Sequence, residues 1–236
     1  MVVQHNMQAV NTNRMLGQNV KAVQKSTEKL SSGYAVNRAG DDAAGLSISE
    51  KMRNQIRGLN QSVKNAEDGI SLIQTAEGNM NEIHSILQRM GELAIKSRND
   101  VNATEDRRSI NDEVVQLKAE ISAITTKAEF NGTKLLNGGM SKGKLLQVGA
   151  NTGETMAISI KGTSLSNLGL TDTSVSTGLK ASKAIGQIQS AIKNVSAQRS
   201  LLGAIQNRLE YTINNLENYS ENLTSAESNI RDTDMA

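Results

Sequence analysis

The sequence predicts a mainly α fold, an elongated coiled-coil-like helical bundle (a rod) carrying one small β-hairpin. Three observations lead there. Near the C-terminus, Ala181, Ile188, Val195, Leu202, Leu209, Leu216, Leu223 and Ile230 recur every seven residues, and Ala184, Ala191, Gln198, Ile205, Thr212, Tyr219 and Ala226 follow three places behind. That is an unbroken heptad pattern, the signature of helices packed along a narrow seam. The chain also has no proline, so nothing in it forbids very long helices. It holds one Phe, three Tyr and no Trp, so its core must be built from Leu, Ile, Val, Ala and Met, which suits thin seams better than a thick globular core.

Taken in chain order, residues 1 to about 32 form an amphipathic segment with the stripe Val3, Met7, Val10, Arg14, Leu16, Val20, Val23 and Leu30. The stripe is thin and has no obvious partner in the chain. An isolated helix of this kind is marginal in water, so this segment is expected to be poorly ordered in the monomer. Residues 1–41 are therefore set apart as an N-terminal helix and joint, with residues 42–236 as the helical rod domain.

The stretch "LSSGYAVNRAGDDAAGLSIS", Leu30 to Ser49, invites a test for chemistry. Gly40 and Gly45 have the separation of the two glycines of a phosphate-binding loop, but Leu46 stands where that loop needs lysine, and Asp41 and Asp42 would repel phosphate. "DDAAG" also lacks the alternating acidic ligands of a calcium loop. The stretch reads instead as a joint: Gly40 permits a sharp turn, and Asp41 or Asp42 caps the following helix.

That helix is predicted from about 42 to 98. Its stripe is Ile56, Leu59, Val63, Ala66, Ile70 and Ile73, then Met80, Ile83, Leu87, Met90 and Ala94. The register slips by three near Ala76, between Gly69 and Gly78, within one continuous helix. A shorter partner, about 104–128, carries Ile110, Val114, Leu117, Ile121, Ile124 and Ala128, with Glu105 and Asp106 in the first turn where the helix dipole favours negative charge. "NGTKLLNGGMSKGK" reads as a loop by its Asn and Gly content. "KLLQVGANTGETMAISI" reads as a hairpin at about 144–160 within a region of about 139–178, and residues 161–178 as an irregular connection. The heptad span from Ala181 to Ile230, within a last helix of about 179–232, would be roughly 75 Å long at 1.5 Å per residue.

Composition excludes several classes of function. With no cysteine there are no disulfides or thiolate metal sites. A net charge of +2 with both signs interspersed leaves no basic footprint for nucleic acid. No apolar run reaches 18 residues, and "MVVQHNMQAV" lacks the charged leader and apolar block of a secretory signal. His5 and His84, the two histidines, lie in different helices and are expected at the surface. No G-x-S-x-G elbow or H-E-x-x-H pair occurs, so no enzyme, metal or cofactor is expected. Sequons such as Asn131-Gly132-Thr133 are expected by chance in a chain rich in Asn and Ser.

Five motifs then carry a resemblance over nearly the whole chain. "LSSGYAVNRAGDDAAGLSIS", "LQRMGELAIKS", "EFNGTKLL", "LQVGANTGE" and "AQRSLLGAIQNRLEYTINNLENYSENLTSAESNIRDTDMA" resemble bacterial flagellin and stand in the family's order. The resemblance implies an extracellular subunit of the flagellar filament, with copies of itself as partners, exported unfolded through the flagellar type III apparatus. It implies that the stretch around Leu30 joins an inner-core helix to the outer helical rod. A related hook–filament junction protein is the alternative, and an enzyme built into filament-like ends is a remoter one that the short central region disfavours. The family usually carries a larger middle region and continues past "RDTDMA" into a final helix that pairs with the N-terminal segment and is gripped by the export chaperone; the chain is accordingly read as a truncated form. The resemblance also implies a receptor, the flagellin-sensing Toll-like receptor of animals. The positions matching its contact motif are Arg89, Leu93 and Glu113, with Gly91 where the family commonly has a second arginine.

Overall fold

The computed structural model describes residues 6–234, so Val3 and His5 lie outside the described residues. The described chain is four helices, α1 (Met7–Ser32), α2 (Ala43–Arg98), α3 (Thr104–Lys127) and α4 (Gly178–Arg231), with four short strands between α3 and α4. The strands make two antiparallel pairs: β1 (Glu129–Phe130) with β2 (Thr133–Lys134), and β3 (Lys144–Gln147) with β4 (Thr155–Ile158). The chain divides into two compact units. One runs from Gln61 to Leu216; the other gathers the chain up to Asn60 with the stretch from Glu217 onward.

The unit from Gln61 to Leu216 is organised by the seam of α2. Buried positions there run through Ser62, Ala66, Gly69, Ile73, Ala76, Met80, Ile83, Leu87, Met90, Ala94 and Ser97, alternating steps of four and three without interruption. The register slip expected near Ala76 is therefore absent. It came from assigning Val63 and Ile70 to the seam, whereas both are only half-buried and the smaller Ser62 and Gly69 take the inward positions. The reason at Gly69 is a close approach. A Cβ there would stand 2.6 Å from Leu146 Cδ2 of β3 and 3.4 Å from Leu209 Cδ1 of α4. The hairpin sits on α2 because this residue has no side chain.

α3 contributes Ile110, Val114, Ile121 and Thr125 to the same core, and α4 contributes the predicted series from Ala181 to Leu209. At the start of α3, Asp106 Oδ2 accepts from the Ala103 backbone N–H at 3.0 Å, satisfying a donor at the helix start. Each fully buried Leu or Ile contributes about 1.5–3 kcal/mol of transfer free energy.

Two segments expected as loop and connection also feed the core. Leu135, Leu136 and Met140 are wholly or almost wholly buried, as are Ile160 and Leu170. The connection is held by specific polar groups: Ser97 Oγ donates to the Val175 carbonyl at 2.6 Å, Lys118 Nζ donates to the Thr171 carbonyl at 2.7 Å, and Asn111 Oδ1 accepts from the Val175 N–H at 3.1 Å. The pair β1–β2, which the loop composition did not predict, is closed by Asn131 and Gly132 at φ of 46° and 73°. Two successive positive φ values are those of a type I′ hairpin turn, for which Asn-Gly is the preferred dipeptide. The predicted hairpin is present as β3–β4. Its turn is bound by Glu154, whose carboxylate accepts from the Asn151 N–H at 2.9 Å and from Asn151 Nδ2 at 3.0 Å.

In the other unit, "LSSGYAVNRAGDDAAGLSIS" is a joint without chemistry. The glycine that the backbone requires is Gly33, not Gly40: it closes α1 in the left-handed region at φ 75° and returns its N–H to the Lys29 carbonyl at 2.9 Å. Gly40 does not have a positive φ. Asp42 caps α2, its Oδ1 accepting from the Gly45 N–H at 2.9 Å. The end of α4 clasps this joint. The Ala35 N–H donates to the Arg231 carbonyl at 2.7 Å and the Thr233 N–H to the Gly33 carbonyl at 2.9 Å. The Arg231 guanidinium lies 4.7 Å from the centre of the Tyr34 ring and reaches Glu50 at 2.6 Å.

Two carboxylates here are held below their usual range, Asp41 by the hydrogen bond it accepts from Lys25 and Glu50 by the one it accepts from Arg231. A depressed folded pKa gives stability that is complete above the ordinary carboxylate range and lost as pH falls through the folded value. The clasp should therefore loosen as pH drops below about 4, the ordinary Asp and Glu range. An acid titration of helicity should show it, with a flatter profile for Asp41→Asn/Glu50→Gln; identical profiles would rule it out.

α1 meets the expectation of an unpartnered stripe: none of its residues is buried, and Val10, Leu16, Val20, Val23 and Leu30 are all exposed. Such a helix is held by its local hydrogen bonds and, near its end, by the surface ion pairs Lys25–Asp41 and Glu28–Arg38, with no buried apolar contact to add to them. Its amides should exchange fast while those of Ile188 to Leu209 exchange slowly. Equally slow exchange in both would show that the stripe has found a partner in solution.

Candidate functional site

The predicted receptor positions lie where α2 and α3 run side by side. Arg89 comes from the outward face of α2. Its Nε and Nη2 donate to Glu113 Oε1 on α3 at 3.0 and 2.9 Å, and its Nη1 donates to Glu92 Oε2 at 3.2 Å. α2 and α3 bring Arg89 and Glu113 together although they are 24 residues apart. Glu92 completes the cluster, and the motif match did not include it. Its spacing of three from Arg89 is the helical neighbour relation that could have found it.

This is a surface cluster. The side chains of Arg89, Glu92 and Glu113 are 53%, 69% and 43% exposed. Hydrogen bonds to Glu113 and then to Glu92 raise the Arg89 pKa still further above neutrality, so the guanidinium is a permanent cation. Exposed ion pairs of this kind contribute little to stability, with a median of about 0–1 kcal/mol. The cluster presents a planar fork of donors flanked by two carboxylates and shared between α2 and α3.

Leu93 is placed differently. It is only 3% exposed and belongs to the core cluster. It packs in the core and offers almost no surface of its own. At Gly91 a Cβ would stand 3.7 Å from Ile188 Cγ2, an ordinary contact, so packing does not require glycine there.

Among the described residues no group of three or more His, Asp or Glu could hold a metal ion. His84 is half-buried rather than at the open surface; its Nε2 lies 3.1 Å from Gln88 Nε2, and its Nδ1 is shut from solvent. Among the described residues no helix is long and apolar enough to cross a membrane.

Comparison with known proteins gives concordant matches. The family model of the bacterial flagellin N-terminal helical region matches residues 3–141, and that of the C-terminal helical region matches residues 185–236. A flagellin of Halalkalibacterium halodurans is 52% identical over the whole chain and 87% of its own length. Among solved structures, a Bacillus cereus flagellin superposes with a TM-score of 0.59 at 31% identity, covering 65% of this chain and 88% of that one. A putative flagellar hook-associated protein of Vibrio parahaemolyticus reaches a TM-score of 0.69, covering 81% of this chain and 100% of that one. At 13% identity the latter is a likeness of fold alone.

Proposed function

The chain belongs to the bacterial flagellin family and is thereby a structural subunit of the extracellular flagellar filament, and from that premise we propose that its Arg89 face is in addition a ligand for the flagellin-sensing Toll-like receptor. The family's proteins are structural and self-assembling, which accords with a chain whose longest elements are helices with continuous apolar seams. Delivery by the flagellar export apparatus is part of the same proposal.

One observation supports the receptor reading above the others. Arg89 is held by Glu113 across two helices rather than left as a free side chain, so much of its conformational freedom is already spent before a partner arrives. Arginine at such a site presents a rigid donor fork, and arginine is enriched among residues that dominate interfaces. Glu113 and Glu92 can each turn to a partner's donor or stay on Arg89. The test is a titration of the receptor ectodomain with this chain. Saturable binding that competes with a known flagellin supports the reading, and no binding at any attainable concentration refutes it. The likeness to a hook-associated protein does not favour the junction alternative, because it reaches the fold and not the sequence.

A further inference from the structure

We propose that Asn137 is a self-modification site, at which the side-chain amide is converted to aspartate and isoaspartate through a succinimide. Two Asn-Gly pairs occur close together, Asn131-Gly132 and Asn137-Gly138, and both asparagines are exposed. The structure treats them differently. Asn137 Oδ1 accepts a hydrogen bond from the Gly139 N–H at 2.9 Å. The Gly138 N–H, by contrast, makes no hydrogen bond among the described residues, and neither does Asn137 Nδ2. The nucleophile and the leaving group are therefore free of protein hydrogen bonds, and the carbonyl to be attacked is polarised by one.

The Gly138 nitrogen gives up its proton to solvent base and bonds to Asn137 Cγ. Charge accumulates on Oδ1, where the Gly139 N–H already donates, as a backbone donor does for an oxyanion. The Cγ–Nδ2 bond then breaks, Nδ2 takes a proton from solvent and leaves as ammonia, and a five-membered ring is closed. Water opens that ring at either carbonyl, which gives aspartate or isoaspartate. Gly138 and Gly139 carry no side chain to obstruct the attack, and Gly162, against which the half-buried Gly138 nitrogen packs, has none either: a Cβ there would stand 2.8 Å from that nitrogen. At Asn131 no hydrogen bond among the described residues polarises the side chain, and the residue is locked with φ 46° in the two-residue turn closed by the Phe130–Thr133 strand pair. The reaction consumes only water and needs no enzyme, so it can proceed on a protein outside the cell. Its product is a carboxylate beside Gly138, which lines a cavity of about 590 Å³ with Lys161, Thr163 and Gln198.

The two sites can be read in one digest, because cleavage after lysine separates Ala128–Lys134 from Leu135–Lys142, each with a single amide side chain. The folded chain is aged at mildly alkaline pH and both peptides are followed by mass spectrometry. Conversion at Asn137 should be about tenfold faster than at Asn131, the rate effect of one well-placed hydrogen bond. In denaturant the two rates should converge, since both are then Asn-Gly in a free chain. Asn137→Gln should abolish conversion of its peptide and leave Asn131 unchanged. Equal or slower conversion at Asn137 in the folded chain, or the same ratio in denaturant as in the fold, would overturn the proposal.

Discussion

Leu209→Ala lowers the unfolding free energy by about 2–5 kcal/mol, the cost of emptying a buried leucine site. Leu209 is fully buried on α4, and its Cδ1 and Leu146 Cδ2 of the hairpin both close on the space over Gly69 of α2. Three elements meet at this point, so collapse around the missing methyls would require α2, α4 and the hairpin to shift together. That places the expected loss toward the upper end of the range. Leu216→Ala tests the same heptad series at its edge, where the leucine is 9% exposed, and should cost less. Denaturant unfolding followed by helical circular dichroism would measure both. Losses within experimental error for both variants would mean that the α4 seam carries no core.

Arg89→Ala weakens receptor binding by on the order of 2 kcal/mol, the threshold of an interface hot spot, while barely moving the melting temperature. The two halves of this prediction have separate causes. Arg89 is half exposed and its ion pairs are at the surface, so removing it empties no core site. In a complex the same pairs would be desolvated, and truncating one partner there leaves Glu113 buried without its donor. Lys96→Ala, on the same helix and outside the matched positions, should change binding little. Glu113→Ala should follow Arg89→Ala, because the glutamate positions the guanidinium. Leu93→Ala is expected to act through stability, since the side chain is in the core. At Gly91 a Cβ makes only an ordinary contact with Ile188, and Gly91→Arg should strengthen binding if a second arginine is what the site lacks. Equal affinity of Arg89→Ala and the parent chain would remove Arg89 from the interface.

Much of the architecture is legible in the sequence. The predicted helix limits of about 42–98, 104–128 and 179–232 stand against Ala43–Arg98, Thr104–Lys127 and Gly178–Arg231. The predicted hairpin is β3–β4, and Asp42 is the cap. These features are local. A heptad is a statement about one helix, a cap about three or four residues, and a tight turn about two. The Asn-Gly turn at 131–132 is equally local, and its signal is present in the sequence; the loop composition around it hides two strands too short to show alternation.

Sequence alone was thus enough to say which segments are helical, where they start and stop, and that their apolar stripes need partners. Which atoms fill the space between the helices follows from the packed fold instead. Hydrophobicity picks Val63 and Ile70 for the α2 seam, but the seam runs through Ser62 and Gly69, and at Gly69 the reason is that a hairpin leucine and Leu209 occupy the volume a larger residue would claim. Leu135, Leu136 and Met140 sit in a stretch with loop composition and are nonetheless buried, because elements distant in sequence close over them. Arg89 and Glu113 can be named from a motif, yet their pairing depends on how α3 lies against α2, and the burial of Leu93 on the packing of the core. Periodicity is a property of one stretch of chain, whereas burial is a property of volumes shared between several, and only the folded arrangement assigns those volumes.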